Sequence, residues 1–557
     1  MGEPDLPVAP GGIRAGWLWW LQVAALLLAW SWLCGLHWRN DGLWYPDAAR
    51  HAANGLFWHD FLRLPSLDPH GYAMSYYARY PVIGPTTYPP VFYLLEAGAF
   101  AVLGPSPYVG KGLVLVLALM LGLYTMAWAR RWIGPGAGWA GALVLLLPGV
   151  FLWSQGVMLN VPALALSTAA LYHARRWLES PPQQVAWKHL YLSAALGVLA
   201  VLTYLLSIVL VLVAAVWLLL LRRWGLLGRW RTWAALAAAA VPLGLWAIII
   251  LMYERSRLDW MVSSGSAALH VHRWHWRFYL NALPSLVGRT VLALAVAGLV
   301  CGLLIRSRRR EAAILLSWGL VCLAYYAYVP MREGRYLLSI CPVAACLAAL
   351  AVQSAAEFLA ALGRRRAWAA AVSLVLGLGV SGTLAALAAR ISVPSVNLVG
   401  TVAQYVREVA PAQTVLYEGR KFGVFIFHVR ANDPGFRSRV VPGCKLLYVD
   451  SWWDRVKNLA SSPDAVVRLL RDRGGCRWLV VEDPDAALAP QAARYLQEAL
   501  KGPDFELVRS FPAERPVPRL SVYRLRGPVD PVQVVDMPFL MDDGEHVLWQ
   551  HLKPITR

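Results

Sequence analysis

The chain has 557 residues, of which 52 are Lys or Arg and 32 are Asp or Glu, for a formal net charge of +20. Hydrophobic residues make up 58% and charged residues only 15%, against about 25% charged in soluble domains. With a mean hydropathy of +0.48 and long apolar runs, this excludes a large soluble enzyme, a disordered chain or a coiled coil, and reads as a polytopic α-helical membrane protein.

The charge is unevenly placed. Residues 1–389 carry a net of +16 and residues 390–557 only +4. The basic residues punctuate apolar runs, so they read as a topology signal and not as a nucleic-acid footprint. The 28 Trp suit a chain with many membrane–water interfaces.

In chain order, the first apolar run (17–36) is long enough to span and has no small-residue cleavage site after it, so it is a permanent span with Arg14 inside. A polar and aromatic loop follows at 37–107. Within it, 91–103 is apolar but short and interrupted by Glu96, which predicts an interfacial or re-entrant helix. Further runs lie at 108–128, 134–152, 157–173, 189–203, 205–221, 232–252, 286–305, 312–329, 336–352 and 367–389, giving eleven spans. The stretch 189–221 exceeds one span and is expected to break between Tyr204 and Ser207.

With the N-terminus in the cytoplasm, Arg130, Arg131, Arg175, Arg176, Arg222, Arg223, Arg306, Arg308, Arg309, Arg310 and residues 364–366 all fall on the cytoplasmic side. Loops 37–107, 253–285 and 330–335 then lie outside, and so do residues 390–557. The expectation is a multi-pass protein of the inner (plasma) membrane: a transmembrane domain at 1–389 and a soluble extracytoplasmic α/β domain at 390–557. In the latter, 414–417, 446–449, 478–481 and 520–523 read as strands, and 463–473 and 490–500 as helices with Pro near their starts. The Pro-rich tail from Gly527 is left unassigned, and no internal repeat is evident. The seven Cys show no metal-binding spacing; Cys444 and Cys476 could pair if their domain is extracytoplasmic.

Chemistry concentrates in the outer loops. Asp47 follows the first span in the segment Trp44-Tyr45-Pro46-Asp47, with Ala49-Arg50-His51 and Gly55 beyond it. Asp47 and His51 are four apart and share a helix face; the plainer alternative is that Asp47 merely caps an interfacial helix. Three more segments stand out: Thr87-Tyr88-Pro89-Pro90, Met158-Leu159-Asn160-Val161-Pro162 and Arg332-Glu333-Gly334-Arg335-Tyr336. In their order and outer placement these segments resemble the GT-C superfamily of membrane glycosyltransferases, and most closely its protein O-mannosyltransferase and aminoarabinose-transferase (ArnT-like) branch. The likeness covers most of residues 17–352. Departures stand beside it: many relatives have Asp-Glu where this chain has Asp47-Ala48 and Asp where it has Asn160, and some have Lys before Pro-Pro where it has Tyr88.

The resemblance implies an inverting transfer of a sugar from a polyprenyl-phosphate donor to an extracytoplasmic lipid, glycan or protein acceptor. Asp47 is the expected general base, because an acceptor hydroxyl is a poor nucleophile until a carboxylate takes its proton. Arg332 and Arg335 are expected at the leaving phosphate, whose geometry a guanidinium fork matches, though outer-end Arg also snorkel without any such role. His51, Tyr88, Asn160 and Tyr336 complete the expected substrate-binding set. No cofactor is assigned. A divalent metal is a possibility that neutral Asn160 weakens, because hard cations want charged oxygens; His270, His272, His51 and His59 are the nitrogen donors at hand. Trp260, Trp274, Trp276 and Tyr279 read as an interfacial belt before a sugar platform. Membrane lipids are expected partners and nucleic acid is not. The competing readings are a transporter or lipid-linked sugar flippase, which would show repeats or mid-span charges, and a membrane anchor, for which one span would suffice.

Overall fold

The computed structural model describes residues 14–253, 275–329, 332–363, 368–450, 456–483, 489–540 and 547–555. His270, His272, Trp260, Trp274 and the basic residues 364–366 lie outside them.

All eleven apolar runs are helical. The order is α1 (Arg14–Leu36), α2 (Pro46–Arg63), α3 (Pro69–Arg79), α4 (Val91–Leu103), α5 (Pro107–Trp132), α6 (Ala140–Leu146), α7 (Pro148–Ser154), α8 (Asn160–Leu178), α9 (Trp187–Val201), α10 (Val209–Leu220), α11 (Trp230–Tyr253), α12 (Trp276–Val287), α13 (Arg289–Leu304), α14 (Arg309–Tyr328), α15 (Cys341–Leu362) and α16 (Ala369–Ala388). Among the described residues, six helices are long and apolar enough to cross a membrane unaided, and two bent pairs bring the number to eight. The other three runs are α8, α9 and α10, the last two separated by the expected break, a 3-10 turn at Leu205–Ile208.

The bends have local causes. α6 and α7 meet at 55° where Leu147 is extended ahead of Pro148, since a residue before proline is pushed out of the helical region. α12 and α13 meet at 109° at Gly288, whose φ of +86° suits a residue without Cβ. The segment 37–107, expected outside the membrane, holds three helices. Pro46 occupies the first turn of α2 with Asp47 beside it, Asp68 caps α3 by accepting from the Gly71 amide at 2.8 Å, and Gly104 (φ +83°) ends α4.

The remaining chain is α17 (Asn397–Val409), β1 (Thr414–Glu418), α18 (Phe422–Ala431), β2 (Arg439–Pro442), β3 (Tyr448–Asp450), β4 (Val456–Asn458), α19 (Pro463–Arg468), β5 (Trp478–Glu482), α20 (Gln491–Ala499), β6 (Phe505–Phe511), β7 (Leu520–Leu525), β8 (Val535–Leu540) and β9 (Val547–Leu552). A five-stranded sheet runs β2-β1-β5-β7-β6, with β2, β1 and β5 parallel and β7 antiparallel to both its neighbours. Side chains alternate across it. Val415, Tyr417 and Val480 join α17 and α18 in a core continuous with the membrane helices, while Leu416, Leu479 and Val481 pack with α19 and α20 in a second core.

Some expectations shift in detail. The strand expected at 446–449 begins at Tyr448, and the helix expected at 463–473 is α helical only to Arg468. α17, α18, β2 and β6 were not anticipated, and the unassigned tail holds the β8–β9 hairpin. Cys444 and Cys476 are both buried and free, so they do not pair.

Candidate functional site

The N-terminus of α2 meets the 3-10 turn Gly334–Ile340 that leads into α15. Asp47 Oδ2 accepts from Arg335 Nη2 at 2.9 Å, and Asp47 Oδ1 lies 3.7 Å from Arg50 Nη1. Arg335 is 8% exposed, so this is a mostly desolvated ion pair. Its guanidinium lies 4.6 Å from the ring centre of Tyr45 and 5.5 Å from that of Trp153, a cation–π clamp that fixes the plane of the fork. Glu333 Oε1 accepts from the Tyr45 hydroxyl at 3.1 Å and stands 3.7 Å from Arg335.

One helical turn on, His51 Nδ1 is 2.8 Å from the Tyr93 hydroxyl on α4, and its ring meets the Tyr88 ring edge-on at 4.9 Å. Burial pushes the His51 pKa down to about 3, so its imidazole is neutral near pH 7. Burial alone would raise the Asp47 carboxyl, but the charges of His51, Arg335 and Arg50 outweigh it and hold the carboxyl below its ordinary value. Because His51 is neutral near pH 7, the attraction that acts there comes from the two guanidiniums.

Arg335 also faces a narrow cavity between α8, the Tyr204–Leu210 break, α14 and the turn before α15. Asn160, Tyr204, Arg335, Tyr336 and Ser339 line its polar part, and Leu164, Leu210 and Trp318 its apolar part. The structure thus brings together Asp47, His51, Tyr88 and Arg335, and sets Asn160 and Tyr336 on the cavity beyond Arg335. Arg332 is exposed and makes no ion pair or hydrogen bond among the described residues. Of the two Arg expected at a phosphate, Arg335 is therefore the one placed at the site.

Sequence reasoning missed Tyr45, Arg50, Trp153, Glu333 and Tyr204 as parts of the site. Arg50 and Glu333 sat in the segments already singled out, and their charge was the available signal. Trp153 and Tyr204 reach the site only through tertiary packing. The donors around Asp47 do not make a cation cradle. Both carboxylate oxygens face guanidiniums, His59 pairs with Asp60 at 3.2 Å, and no cluster of three or more His, Cys, Asp or Glu side chains is suitably disposed among the described residues.

An apolar helical domain with three shorter helices after its first span, joined to an α/β domain, has the GT-C-like fold of the solved ArnT structures. The chain is similar to the crystal structure of ArnT from Cupriavidus metallidurans in the apo state, with a TM-score of 0.60, 16% identity and coverage of 92% of this chain and 98% of that one. The same enzyme bound to undecaprenyl phosphate gives a TM-score of 0.59 at 16% identity, over 93% of this chain and 100% of that one. The oligosaccharyltransferase AglB from Archaeoglobus fulgidus, in complex with an inhibitory peptide and a dolichol-phosphate, is also similar, with a TM-score of 0.51, 12% identity and coverage of 83% and 69%. No family model and no curated sequence matches the chain.

Proposed function

We propose that the protein is an inverting glycosyltransferase that moves a sugar from a polyprenyl-phosphate donor to a hydroxyl-bearing acceptor at the outer face of the inner membrane. The observation that carries this is the Asp47–Arg335 pair, whose arginine also lines a narrow cavity walled by both polar and apolar side chains. That mixed lining around a buried guanidinium suits a ligand with an anionic head and a lipid tail, and two of the solved structures with this fold hold undecaprenyl phosphate or dolichol-phosphate. The Arg-rich cytoplasmic turns support an outer location for Asp47.

Without donor, Arg335 neutralises Asp47. A donor phosphate entering the cavity competes for the same guanidinium, and its bidentate contact loosens Arg335 from the carboxylate. Asp47 then regains basicity as the substrate arrives. The acceptor oxygen attacks the anomeric carbon while its proton passes to Asp47, and the bond from that carbon to the phosphate oxygen breaks with its electron pair on the phosphate. Arg335 stabilises the charge that develops there. Asn160 and Tyr336 line the cavity, while His51, packed against Tyr88 one helical turn from Asp47, acts as a neutral hydrogen-bonding group.

The test is turnover of radiolabelled polyprenyl-phosphate sugars by the purified protein. The variant Asp47→Asn should lose at least about a hundredfold in rate. Equal turnover by that variant removes Asp47 as base, and movement of the donor across vesicles without transfer would establish the flippase reading instead.

A further inference from the structure

A second pocket, of about 410 Å³, lies at the seam between the membrane helices and the α/β domain, in the size range of small-molecule sites, about 300–1,000 Å³. Its lining is polar at every position but Gly400. One wall is α17, whose Asn397, Thr401 and Gln404 recur at helical spacing on one face while Leu398, Val402 and Val406 bury the other. The facing wall is Asp41, from the loop after α1, and His428, near the end of α18. Asn397 holds the two walls in register: its side chain accepts from the Asp41 amide at 3.1 Å and donates to the Arg39 carbonyl at 2.7 Å.

Asp41 is 2% exposed, yet among the described residues its Oδ2 has no hydrogen-bond partner, and neither has His428 Nε2. The two atoms stand 3.8 Å apart, too far to bond each other. Buried polar atoms are nearly always satisfied, so an unpartnered pair on a pocket wall marks a place for a ligand group. Gly400 shapes the same wall, since a Cβ there would stand 2.9 Å from the His428 ring.

A hydroxyl serves this pair best, because it donates to the carboxylate and exchanges a second bond with the imidazole. A phosphate suits this pair less, because Asp41 only accepts and repels an anion, and Arg407, the guanidinium on the lining, already donates to the Asn432 carbonyl at 3.1 Å. Gln404 and Thr401 offer further donors and acceptors, and the half-exposed Tyr108 ring at the rim offers an apolar face. We infer that this seam pocket binds a hydroxyl-rich saccharide, the glycan part of the acceptor, outside the Asp47 site. The identification of that glycan as acceptor rests on the transferase reading; the binding itself does not. The pocket is tied to the reaction centre by chain and by packing. Asp41 lies six residues before Asp47, and α18 sits on α2, with Gly423 close enough that a Cβ would meet Ala49 at 3.3 Å.

Calorimetric titration of the full-length protein in nanodiscs with chitotriose, and separately with inorganic phosphate, tests this. Saturable chitotriose binding, weakened at least about tenfold by Asp41→Asn or His428→Ala, is the expected result. Gln404→Trp alters only an exposed helix position and should close the pocket without disturbing the fold. Chitotriose binding unchanged by all three variants, or absent from the wild type, overturns the site, and so does binding of phosphate in its place. If saccharide binds as expected but no donor supports transfer, the pocket stands and the transferase reading falls. Transfer without saccharide binding removes the pocket and leaves the transferase standing.

Discussion

In the proposed reaction Arg335 has two opposing duties, and its geometry argues against lysine in its place. One nitrogen of the fork holds Asp47 while the plane of the group lies against Tyr45 and Trp153. An ammonium lacks both the fork and the stacking face. Arg335→Lys should therefore retain the fold yet lower kcat by at least about tenfold, read in the same donor assay. The pair also fixes a pH dependence. Asp47, as the proposed base, works while deprotonated and is held below the ordinary carboxylate range, so the acid limb of activity should fall at unusually low pH. Arg335→Gln removes a cation that favours the charged form; the residual activity should lose its acid side at higher pH than the wild type, as a pH–rate profile would show.

A second titration lies in the α/β domain. Glu418 ends β1, accepts from the Tyr448 hydroxyl at 3.1 Å, and has an unpartnered second oxygen. Burial first, and then Glu482 and Asp450, push its pKa up to about 8. The folded state thus binds a proton that the unfolded chain releases near its ordinary value, and stability falls as pH rises from there through about 8. Glu418→Gln, which stays neutral, should raise the melting temperature at pH 8.5 and change it little at pH 4. An equal shift at both values would disprove the account.

At the scale of elements, close helix packing depends on glycine where backbones meet. Gly298 of α13 faces the Leu347 carbonyl of α15, and a Cβ there would overlap it. Gly55 on α2 and Gly110 on α5 both make room for the Glu96 carboxyl of α4, which has no hydrogen-bond partner. Gly197 of α9 has nothing within 4 Å of its would-be Cβ. Alanine should therefore act in opposite directions. At Gly197 it should be neutral or stabilise by up to about 1 kcal/mol through helix propensity. At Gly298 it should destabilise by about 1–3 kcal/mol through overpacking. Thermal unfolding in one detergent compares the two. Gly55→Ala adds a functional readout, because displacing Glu96 disturbs the α2–α4 contact that also carries the His51–Tyr93 bond.

At the scale of the molecule, the α/β domain is bound into the membrane domain, and α18 is the bolt. Arg430 Nη2 meets Asp60 Oδ2 of α2 at 2.6 Å, with both side chains buried, and the Tyr76 hydroxyl donates to the same carboxylate at 2.8 Å. The guanidinium also lies 3.9 Å from the Phe436 ring centre. Lys421, at the start of α18, donates to the Trp44 carbonyl, and Ile555 in the tail donates to the Ser75 carbonyl at 2.9 Å. Removing one partner of a buried pair leaves the other charge without compensation, at a cost of about 3–5 kcal/mol. Arg430→Met alone should therefore speed proteolysis in the connector at 389–396, and adding Asp60→Asn should restore much of the resistance. Additive losses would show that the pair is not what docks the domain.

The sequence alone determined the class of molecule and most of its helices. Apolar length and Arg punctuation are local signals, and a bilayer enforces them because unsatisfied backbone cannot enter it. It also pointed to Asp47 and to the segment 332–336, where charge sits beside Pro, Gly and aromatic residues at the ends of spans. Only the tertiary structure distinguished Arg335 from Arg332, three residues apart in one motif, because the choice depends on which side chain a 3-10 turn aims at α2. It likewise recruited Trp153 and Tyr204, showed Cys444 and Cys476 to be free, and opened the seam pocket. Each of these joins residues distant in sequence, and nothing in local periodicity specifies which of them will meet.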